Sequence, residues 1–343
     1  MTLKAVYDEK QALHDPQFYL VRGKVVRCFE QPERADRLKA GLERLSIPLA
    51  EAKDFGPAPR AAIHTPEYLS FLRTAYDEWQ KLPGEIGPEV VANVHPQRYT
   101  ATYPKGIVGR AGWHMADTSC AMGPNTFEGA CASANTALTA AHFIVEGDKQ
   151  AYALCRPPGH HAFCDMAGGF CFLNNTAIAA QFLKQKYSRV AILDVDVHHG
   201  NGTQGIFYRR SDVLTISIHC DPINYYPFHW GHRNERGEGD GEGYNINIPL
   251  PALSGDEVFL DAIAEARSAI KAYAADVLVI ALGLDASEHD PLRGLSVTTP
   301  GFASIARAIR DLGLPTLYVQ EGGYLSDILT DNLASFLGAL LEA

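Results

Sequence analysis

The stretch LDVDVHHGNG, residues 193–202, places two aspartates and two adjacent histidines at the end of the apolar run 190–193. Such a run predicts a buried β-strand, and buried charge is costly unless it is paired or binds a metal. Side chains alternate along an extended segment, so Asp194, Asp196 and His198 project to one side. The stretch therefore predicts a chemical site at the end of a strand.

The rest of the chain alternates strand-like and helical patterns, which is typical of an α/β fold with a mostly parallel central sheet. No repeat, low-complexity tract or linker divides it, so residues 1–343 are expected to form a single domain. Thr65 before Pro66 predicts a capped helix start. The predicted strands are Leu3–Tyr7, Ala151–Cys155, Val190–Val195, Val213–Ile218, Val277–Leu282 and Thr316–Gln320. The predicted helices lie near 127–146, 174–187, 257–274, 301–312 and 326–341.

Composition excludes several classes of protein. The net charge of −10 argues against a nucleic-acid partner, because phosphate binding needs a basic face. The longest apolar run, 277–284, is too short to cross a membrane, and the first residues, MTLKAVYDEK, contain no signal core. Seven cysteines without a CxxC pair indicate reduced thiols. We therefore expect a cytoplasmic protein.

Ionisable side chains follow five of the predicted strands. Ligands of open parallel sheets bind beyond the carboxyl ends of the strands, so these side chains are expected to meet at one edge. The groups concerned are His160 and His161, Asp194 with Asp196 and His198, His219, Asp285, and Glu321 with Tyr324.

Asp196, His198 and Asp285 are predicted to bind one metal ion. Three protein ligands with a free position are typical of a catalytic metal site. An Asp/His/Asp set suits Zn²⁺ and also admits Fe²⁺ or Co²⁺. His199 alternates away from His198 and is interpreted as an ordinary polar contact.

Residues 83–124 form a long segment that is rich in Gly, Pro, Tyr and His and lacks clear periodicity. A loop of that length in a compact domain is usually a lid, a binding loop or an interface element. A tolerated surface insertion is an equally good interpretation of the sequence.

Five motifs, in order, resemble the arginase–deacetylase superfamily and, within it, the histone deacetylase family with its bacterial acetylpolyamine amidohydrolase branch. They are RPPGHHA, GGFCFLNN, LDVDVHHGNGTQ, GLDASEHDPL and EGGY, within residues 156–324. The resemblance implies the single-domain, three-layer α/β/α arginase–deacetylase fold.

The resemblance also implies a role for each matching residue. Asp196, His198 and Asp285 would bind Zn²⁺, and Tyr324 would face the substrate carbonyl. His160 and His161 would be the two tandem histidines of the family. Asp194 would support His160. Asn201 stands where some members of the family have an Asp beside the second histidine. Gly169, Phe170, Tyr226 and Leu292 would line the narrow tunnel that accepts the acylated chain of the substrate. A structural K⁺ would be held by Asp194, by Ser217, and by carbonyls of Asp196, His198 and Ile218.

The mechanism that these residue types favour is amide hydrolysis by metal-activated water. We assign the base role to His161 and the acid or electrostatic role to His160, a division that paired histidines leave open because they titrate together. Tyr324 would donate to the oxyanion.

The preferred substrate is an acetylated polyamine of the acetylputrescine or acetylcadaverine type, consistent with polyamine metabolism. The chain is compact and acidic, and in the polyamine branch insertions like 83–124 pack across a homodimer interface and narrow the mouth. Asp117 is the candidate acid for binding the distal ammonium of the substrate, and Glu128 is a weaker candidate. Trp113 and His114 are candidates for lining the mouth of the active site. A protein-lysine deacetylase, a deacetylase of another small amine, an arginase-like ureohydrolase and a noncatalytic acyl-ligand sensor are the alternatives.

Overall fold

The structure is a computed structural model, and it describes residues 3–97 and 101–342. Its strands are β1 Lys4–Tyr7, β2 Phe18–Val21, β3 Lys24–Arg27, β4 Leu49–Glu51, β5 Gln150–Ala153, β6 Val190–Asp194, β7 Val213–Cys220, β8 Asn245–Leu250, β9 Val277–Leu282 and β10 Thr316–Gln320. Its α-helices are α1 Glu33–Arg44, α2 Ala58–Ala61, α3 Pro66–Trp79, α4 Ile107–His114, α5 Thr126–Glu146, α6 Asn175–Leu183, α7 Asn201–Phe207, α8 Asp256–Tyr273, α9 Thr299–Arg310 and α10 Leu329–Leu341. Short 3₁₀ helices lie at Glu9–Leu13 and Gly239–Gly241.

Eight strands form one sheet in the order β4-β1-β5-β10-β9-β6-β7-β8, and every neighbouring pair is parallel. The central strands β6 and β9 are fully buried and apolar except for Asp194 at the end of β6, as expected for strands covered on both faces. Strands β2 and β3 form a separate antiparallel hairpin. The predicted α/β class with a parallel sheet is confirmed.

Helices cover both faces of the sheet and so create the three layers. Leu193 of β6 packs in one core with side chains of α1, α8, α9 and α10, among them Leu38, Phe259, Phe302 and Phe336. Ile192, which points to the other face, packs in a second core with side chains of α3, α4, α5 and α6, among them Phe71, Ala111, Leu138 and Ile178. The alternation along one strand therefore supplies both cores.

The six predicted strands and five predicted helices are all present, with ends shifted by up to four residues. The Thr65 cap is also confirmed, because its side chain accepts a hydrogen bond from Tyr68 N and Pro66 opens α3. No helix in the described ranges is both long and apolar enough to span a membrane.

The segment 83–124 is more ordered than its sequence indicates. It contains α4, and Val90 and Met122 exchange backbone hydrogen bonds of 2.9 and 3.1 Å. Val90, Met115 and Met122 are buried in the second core. The segment is therefore partly core rather than wholly a surface insertion, although residues 98–100 lie outside the described ranges.

Candidate active site

The site lies where three neighbouring strands end. In the order β10-β9-β6 these strands present their carboxyl ends side by side. Asp194 is the last residue of β6, Asp285 follows β9, and Glu321 follows β10. Because the strands are parallel and paired, chain segments far apart in sequence deliver acidic groups to one place.

Asp196, His198 and Asp285 are brought together as predicted. Their potential ligand atoms all lie within 4.8 Å of one another, and all three residues are buried. His198 Nδ1 is 3.1 Å from Asp196 Oδ1 and 3.3 Å from Asp285 Oδ2. Burial lowers the pKa of His198, but its contacts with Asp196 and Asp285 outweigh this and raise it to about 9.

The donor set fits a divalent metal. Asp285 Oδ2 is buried without a hydrogen-bond partner and faces His198 Nδ1 at 3.3 Å, so a metal ion bound between them would satisfy both atoms. The other ligand oxygens are fixed by backbone donors: Gly322 N donates to Asp196 Oδ2 at 2.7 Å, and Val197 N donates to Asp285 Oδ1 at 3.1 Å. Such supporting hydrogen bonds orient metal ligands.

The tandem histidines have different partners and therefore different charges. His160 Nδ1 donates to Asp194 Oδ2 at 2.8 Å, and the carboxylates of Asp194 and Asp196 outweigh burial and raise its pKa well above the usual value. His161 Nδ1 donates to Asn201 Oδ1 at 2.6 Å. Burial and the neighbouring His160 and His198 hold the pKa of His161 well below the usual value. His160 is thus the cationic histidine and His161 the neutral one.

Tyr324 is placed by a loop that is held from two sides. Its backbone N donates to Asp290 Oδ2 at 2.8 Å. Arg34, from α1, donates to the carbonyls of Gly323 and Glu321 at 2.6 and 2.7 Å, and its guanidinium lies 4.7 Å from the Tyr324 ring centroid. The φ of +113° at Gly323 favours glycine at the turn just before the tyrosine.

A cavity of about 400 Å³ leads to these groups. At its inner end lie His161, His198 and Tyr324. The ring of Tyr226 is 4.9 Å from that of His161, and the ring of Phe170 is 5.8 Å from that of Tyr324. All four residues predicted to line the tunnel also line this cavity: Gly169, Phe170, Tyr226 and Leu292.

Known proteins resemble the whole chain. The Histone deacetylase domain matches residues 28–340. An acetylpolyamine amidohydrolase of Burkholderia pseudomallei is 46% identical over 96% of each chain, and acetylpolyamine amidohydrolase 1 of Pseudomonas aeruginosa is 43% identical over 97% of each. A crystal structure of the acetylpolyamine aminohydrolase from Burkholderia pseudomallei superposes with a TM-score of 0.96 at 45% identity, covering 99% of this chain and 98% of that one.

The chain belongs to the histone deacetylase family. Membership makes it a hydrolytic deacetylase that acts on amides, and the family is metal-dependent, in agreement with the buried Asp196, His198 and Asp285 set. The family resemblance deduced from the five motifs is confirmed.

Asp117 occupies a different place from the one its predicted role requires. It is absent from the cavity wall, and its carboxylate accepts hydrogen bonds from Tyr226 Oη at 2.6 Å, Gly169 N at 3.1 Å and Ser119 N at 2.8 Å. Asp117 therefore lies behind the wall and fixes two residues that line the tunnel. Trp113 and His114 are not among the lining residues either, and His114 is buried beside Phe71.

Of the five residues expected to hold a monovalent cation, Asp194 and Ser217 adjoin one small cavity, whereas Asp196, His198 and Ile218 do not line it. Asp194 of β6 is paired in register with Ser217 of β7, and Asp196 N donates to Asp194 Oδ1 at 3.0 Å. A cavity of about 10 Å³ adjoins Asp194 and Ser217, which is room for one small ion or water. Ser217 Oγ also lies 2.8 Å from His219 Nδ1.

The sequence did not reveal several residues of this histone deacetylase site. Tyr225 stacks on His198 with ring centroids 5.0 Å apart and planes 14° apart. Burial and Asp285 raise the pKa of Asp290 to about 8. Tyr19, from the β2–β3 hairpin, packs on Phe170 at 5.3 Å. Only Asp290 carried a signal, as the acid of the DPL motif; the others come from segments without a motif.

Proposed function

We propose that the protein removes acetyl groups from acetylated polyamines of the acetylputrescine and acetylcadaverine type. The observation that carries the proposal is the aromatic cavity that ends at His161, His198 and Tyr324, which suits a slender acylated amine. The curated relatives named acetylpolyamine amidohydrolases, at 41–46% identity over nearly their whole length, support the same substrate class.

Zn²⁺ is the metal we propose for Asp196, His198 and Asp285, where it would polarise an acetyl carbonyl and lower the pKa of bound water. Fe²⁺ and Co²⁺ suit the same donors. We further propose K⁺ at Asp194, Ser217, and the carbonyls of Asp196, His198 and Ile218, where it would offset the buried charge of Asp194. Asp194 would then hold His160 in place from its other oxygen.

His161 is the proposed general base. Its Nδ1–H donates to Asn201, so the lone pair is on Nε2, and its lowered pKa keeps the ring neutral at physiological pH. It can therefore accept the proton of the attacking water. His160, kept cationic by Asp194, would stabilise developing negative charge.

Tyr324 is the proposed donor to the acetyl oxygen as that oxygen gains negative charge. Burial raises the pKa of Tyr324 well above its usual value, so the hydroxyl stays protonated and can donate a hydrogen bond. Phe170 and Tyr226 would exclude water from the acyl chain. Asp117 would act by positioning Tyr226 and Gly169 rather than by binding an ammonium.

We also propose a homodimer formed through the 83–124 segment, with no nucleic-acid or membrane partner, in the cytoplasm. All seven cysteines are free in the structure, which suits a reducing compartment.

The decisive experiment compares kcat/KM for N-acetylputrescine, N-acetylcadaverine and an acetyl-lysine peptide with the Zn²⁺-loaded enzyme. We expect the acetylated diamines to be hydrolysed faster. A strong preference for the peptide would instead establish a protein-lysine deacetylase, and the absence of hydrolysis of any of the three would exclude the proposed deacetylation. Repeating the series with Fe²⁺ and Co²⁺ identifies the most active metal.

A further inference from the structure

The cavity wall carries an unexpected charge. Among the lining side chains in the described ranges, the only one that is permanently charged is Arg22, and none is a carboxylate. A tunnel that admits cationic amines therefore has a cation on its wall, in a protein whose net charge is −10. A second positive charge on the substrate would be repelled wherever it came near this guanidinium.

Arg22 lies at the turn of the β2–β3 hairpin. Val21 pairs with Lys24, so the turn has two central residues, Arg22 and Gly23, with φ of +50° and +78°. Positive φ at both positions defines the turn type that favours Asn-Gly, and an arginine in the first position is strained. The hairpin thus places a cation at a position where a smaller residue would be more stable.

Nothing in the described ranges neutralises this charge. The Arg22 side chain is exposed and forms no ion pair or hydrogen bond with any described residue, and the same holds for the Lys24 side chain on the other side of the turn. The guanidinium is therefore free to act on whatever enters the cavity. Lys24 carries the same charge on the same hairpin but does not line the cavity, so the chain offers a matched control.

The aromatic rings and the guanidinium lie at different depths. The rings of Tyr324 and Phe170 are 5.8 Å apart, and those of Phe170 and Tyr19 are 5.3 Å apart. From Tyr19 the strand β2 continues for three residues, about 10 Å, to Arg22. The inner part of the tunnel is therefore aromatic, and the cation lies near its mouth.

We propose that Arg22 limits the length of the amine that this enzyme accepts; this inference rests on the proposed polyamine deacetylation. The distal ammonium of a short acetylated diamine stays among the faces of Phe170, Tyr19 and Tyr226, which attract a cation. A longer acetylated polyamine, such as acetylspermine, extends past these rings and brings a further ammonium to Arg22. Arg22 is thus a specificity-determining residue that selects against long polycations.

The test is the ratio of kcat/KM for N¹-acetylspermine to that for N-acetylputrescine, measured at low ionic strength. Arg22→Gln is expected to raise this ratio by about 2- to 5-fold, the range for one exposed charge interaction, and Arg22→Glu by more. Lys24→Gln is expected to leave the ratio unchanged. The Arg22→Gln effect should shrink in high salt, because the two charges are then screened.

Arg22→Asn separates charge from folding, since Asn suits the turn. Its melting temperature should rise while the substrate ratio rises as in Arg22→Gln. An unchanged ratio in Arg22→Gln, or an equal increase in Lys24→Gln, would overturn the proposed role of Arg22 while leaving polyamine deacetylation intact. A wild-type enzyme that hydrolyses neither amine would reject polyamine deacetylation itself and the role of Arg22 with it.

Discussion

Tyr324 shows how single residues are positioned in this site. Its ring lies 5.8 Å from that of Phe170 and 6.4 Å from that of Phe29, and the Arg34 guanidinium lies over it. Glu30 Oε1 accepts from Arg34 Nη1 at 2.6 Å, so a buried ion pair fixes the guanidinium in turn. The ring is therefore held by packing, which would leave its hydroxyl for the proposed contact with the substrate carbonyl.

Tyr324→Phe keeps the ring and removes only the hydroxyl. We expect kcat for N-acetylputrescine to fall by about 10²- to 10³-fold with little change in KM, because an oxyanion donor acts mainly in the transition state. Tyr244→Phe, at the amino-terminal end of β8 and away from the cavity, is the control. Near-normal kcat in Tyr324→Phe would show that the phenol is not the donor.

Glu321 is a second residue with a defined task. Its Oε2 accepts from Gly159 N at 2.6 Å and from His160 N at 3.0 Å, and its Oε1 accepts from Thr176 Oγ1 at 2.7 Å. The carboxylate therefore joins the loop that carries Tyr324 to the loop that carries the tandem histidines. Burial raises the pKa of Glu321 to about 7, against an ordinary value of 4.5, although His160 opposes the shift.

This shift predicts how stability varies with pH. Between pH 4.5 and about 7 the folded chain holds the Glu321 proton and the unfolded chain does not, so the contribution of this group to the free energy of unfolding falls as pH rises. The glutamine side chain in Glu321→Gln cannot ionise, so the variant lacks this decrease in stability with rising pH. The melting temperature of the variant minus that of the wild type should therefore increase from pH 5 to 7 and level off above. A difference independent of pH would contradict the assignment.

At the scale of elements, the loop after β10 closely approaches the proposed metal ligands. A Cβ at Gly322 would collide with Asp285 Oδ2 and Asp196 Oδ2, and the Gly322 N–H is a donor to Asp196. The glycine therefore allows the backbone to reach the ligand pair, which no larger residue could do without moving an oxygen.

Gly322→Ala should weaken metal binding without unfolding the chain. We expect the affinity for Zn²⁺ to fall by about 10- to 100-fold, the usual cost of disturbing the support of metal ligands. Competition with a chromophoric chelator measures this affinity, and circular dichroism confirms the fold. Gly106→Ala is the control, because nothing lies within 4 Å of a Cβ there. Unchanged affinity in Gly322→Ala would mean that the ligand pair can move aside freely.

The positions of the strands with a continuous apolar sequence were predictable from the sequence, whereas the two edge strands of the sheet were not. Strands β6, β9 and β10 are buried along their whole length, so their sequences are continuously apolar or nearly so. Strands β4 and β8 form the two edges, and their sequences LAE and NINIPL lack that signal. Edge strands bury less surface, so the hydrophobic pattern that identifies a strand is weaker in them.

The same distinction applies to the site. The strand-end rule located Asp196, His198 and Asp285 because each follows a buried strand. Arg34 comes from α1 and Tyr19 from the hairpin, and the packing that places Arg34 over Tyr324 and Tyr19 against Phe170 is tertiary. The position of Asp117 behind the wall depends on its hydrogen bonds to Tyr226 and Gly169, 109 and 52 residues away in the chain, which no local pattern indicates.

At the scale of the whole molecule, the segment 83–124 joins core to surface. Val90, Ala92, Ile107 and Met122 are buried in the second core, so deletion of the segment would unfold the protein rather than test an interface. The outer side of the same segment exposes Val94, Tyr103 and Val108, with exposed fractions of 63%, 39% and 39%. Exposed apolar side chains grouped on one segment are what a subunit interface buries.

The dimer is therefore tested by adding charge to that outer side and leaving the core intact. Val94→Glu combined with Val108→Glu should convert a dimer to a monomer in sedimentation velocity at micromolar concentration, because two buried carboxylates without partners cost more than a typical interface can offset. Val258→Glu on α8, at a residue that is 42% exposed, is the control and should remain dimeric. If the double variant also sediments as a dimer, the subunits meet through another surface, and the tunnel mouth is formed without this segment of a second chain.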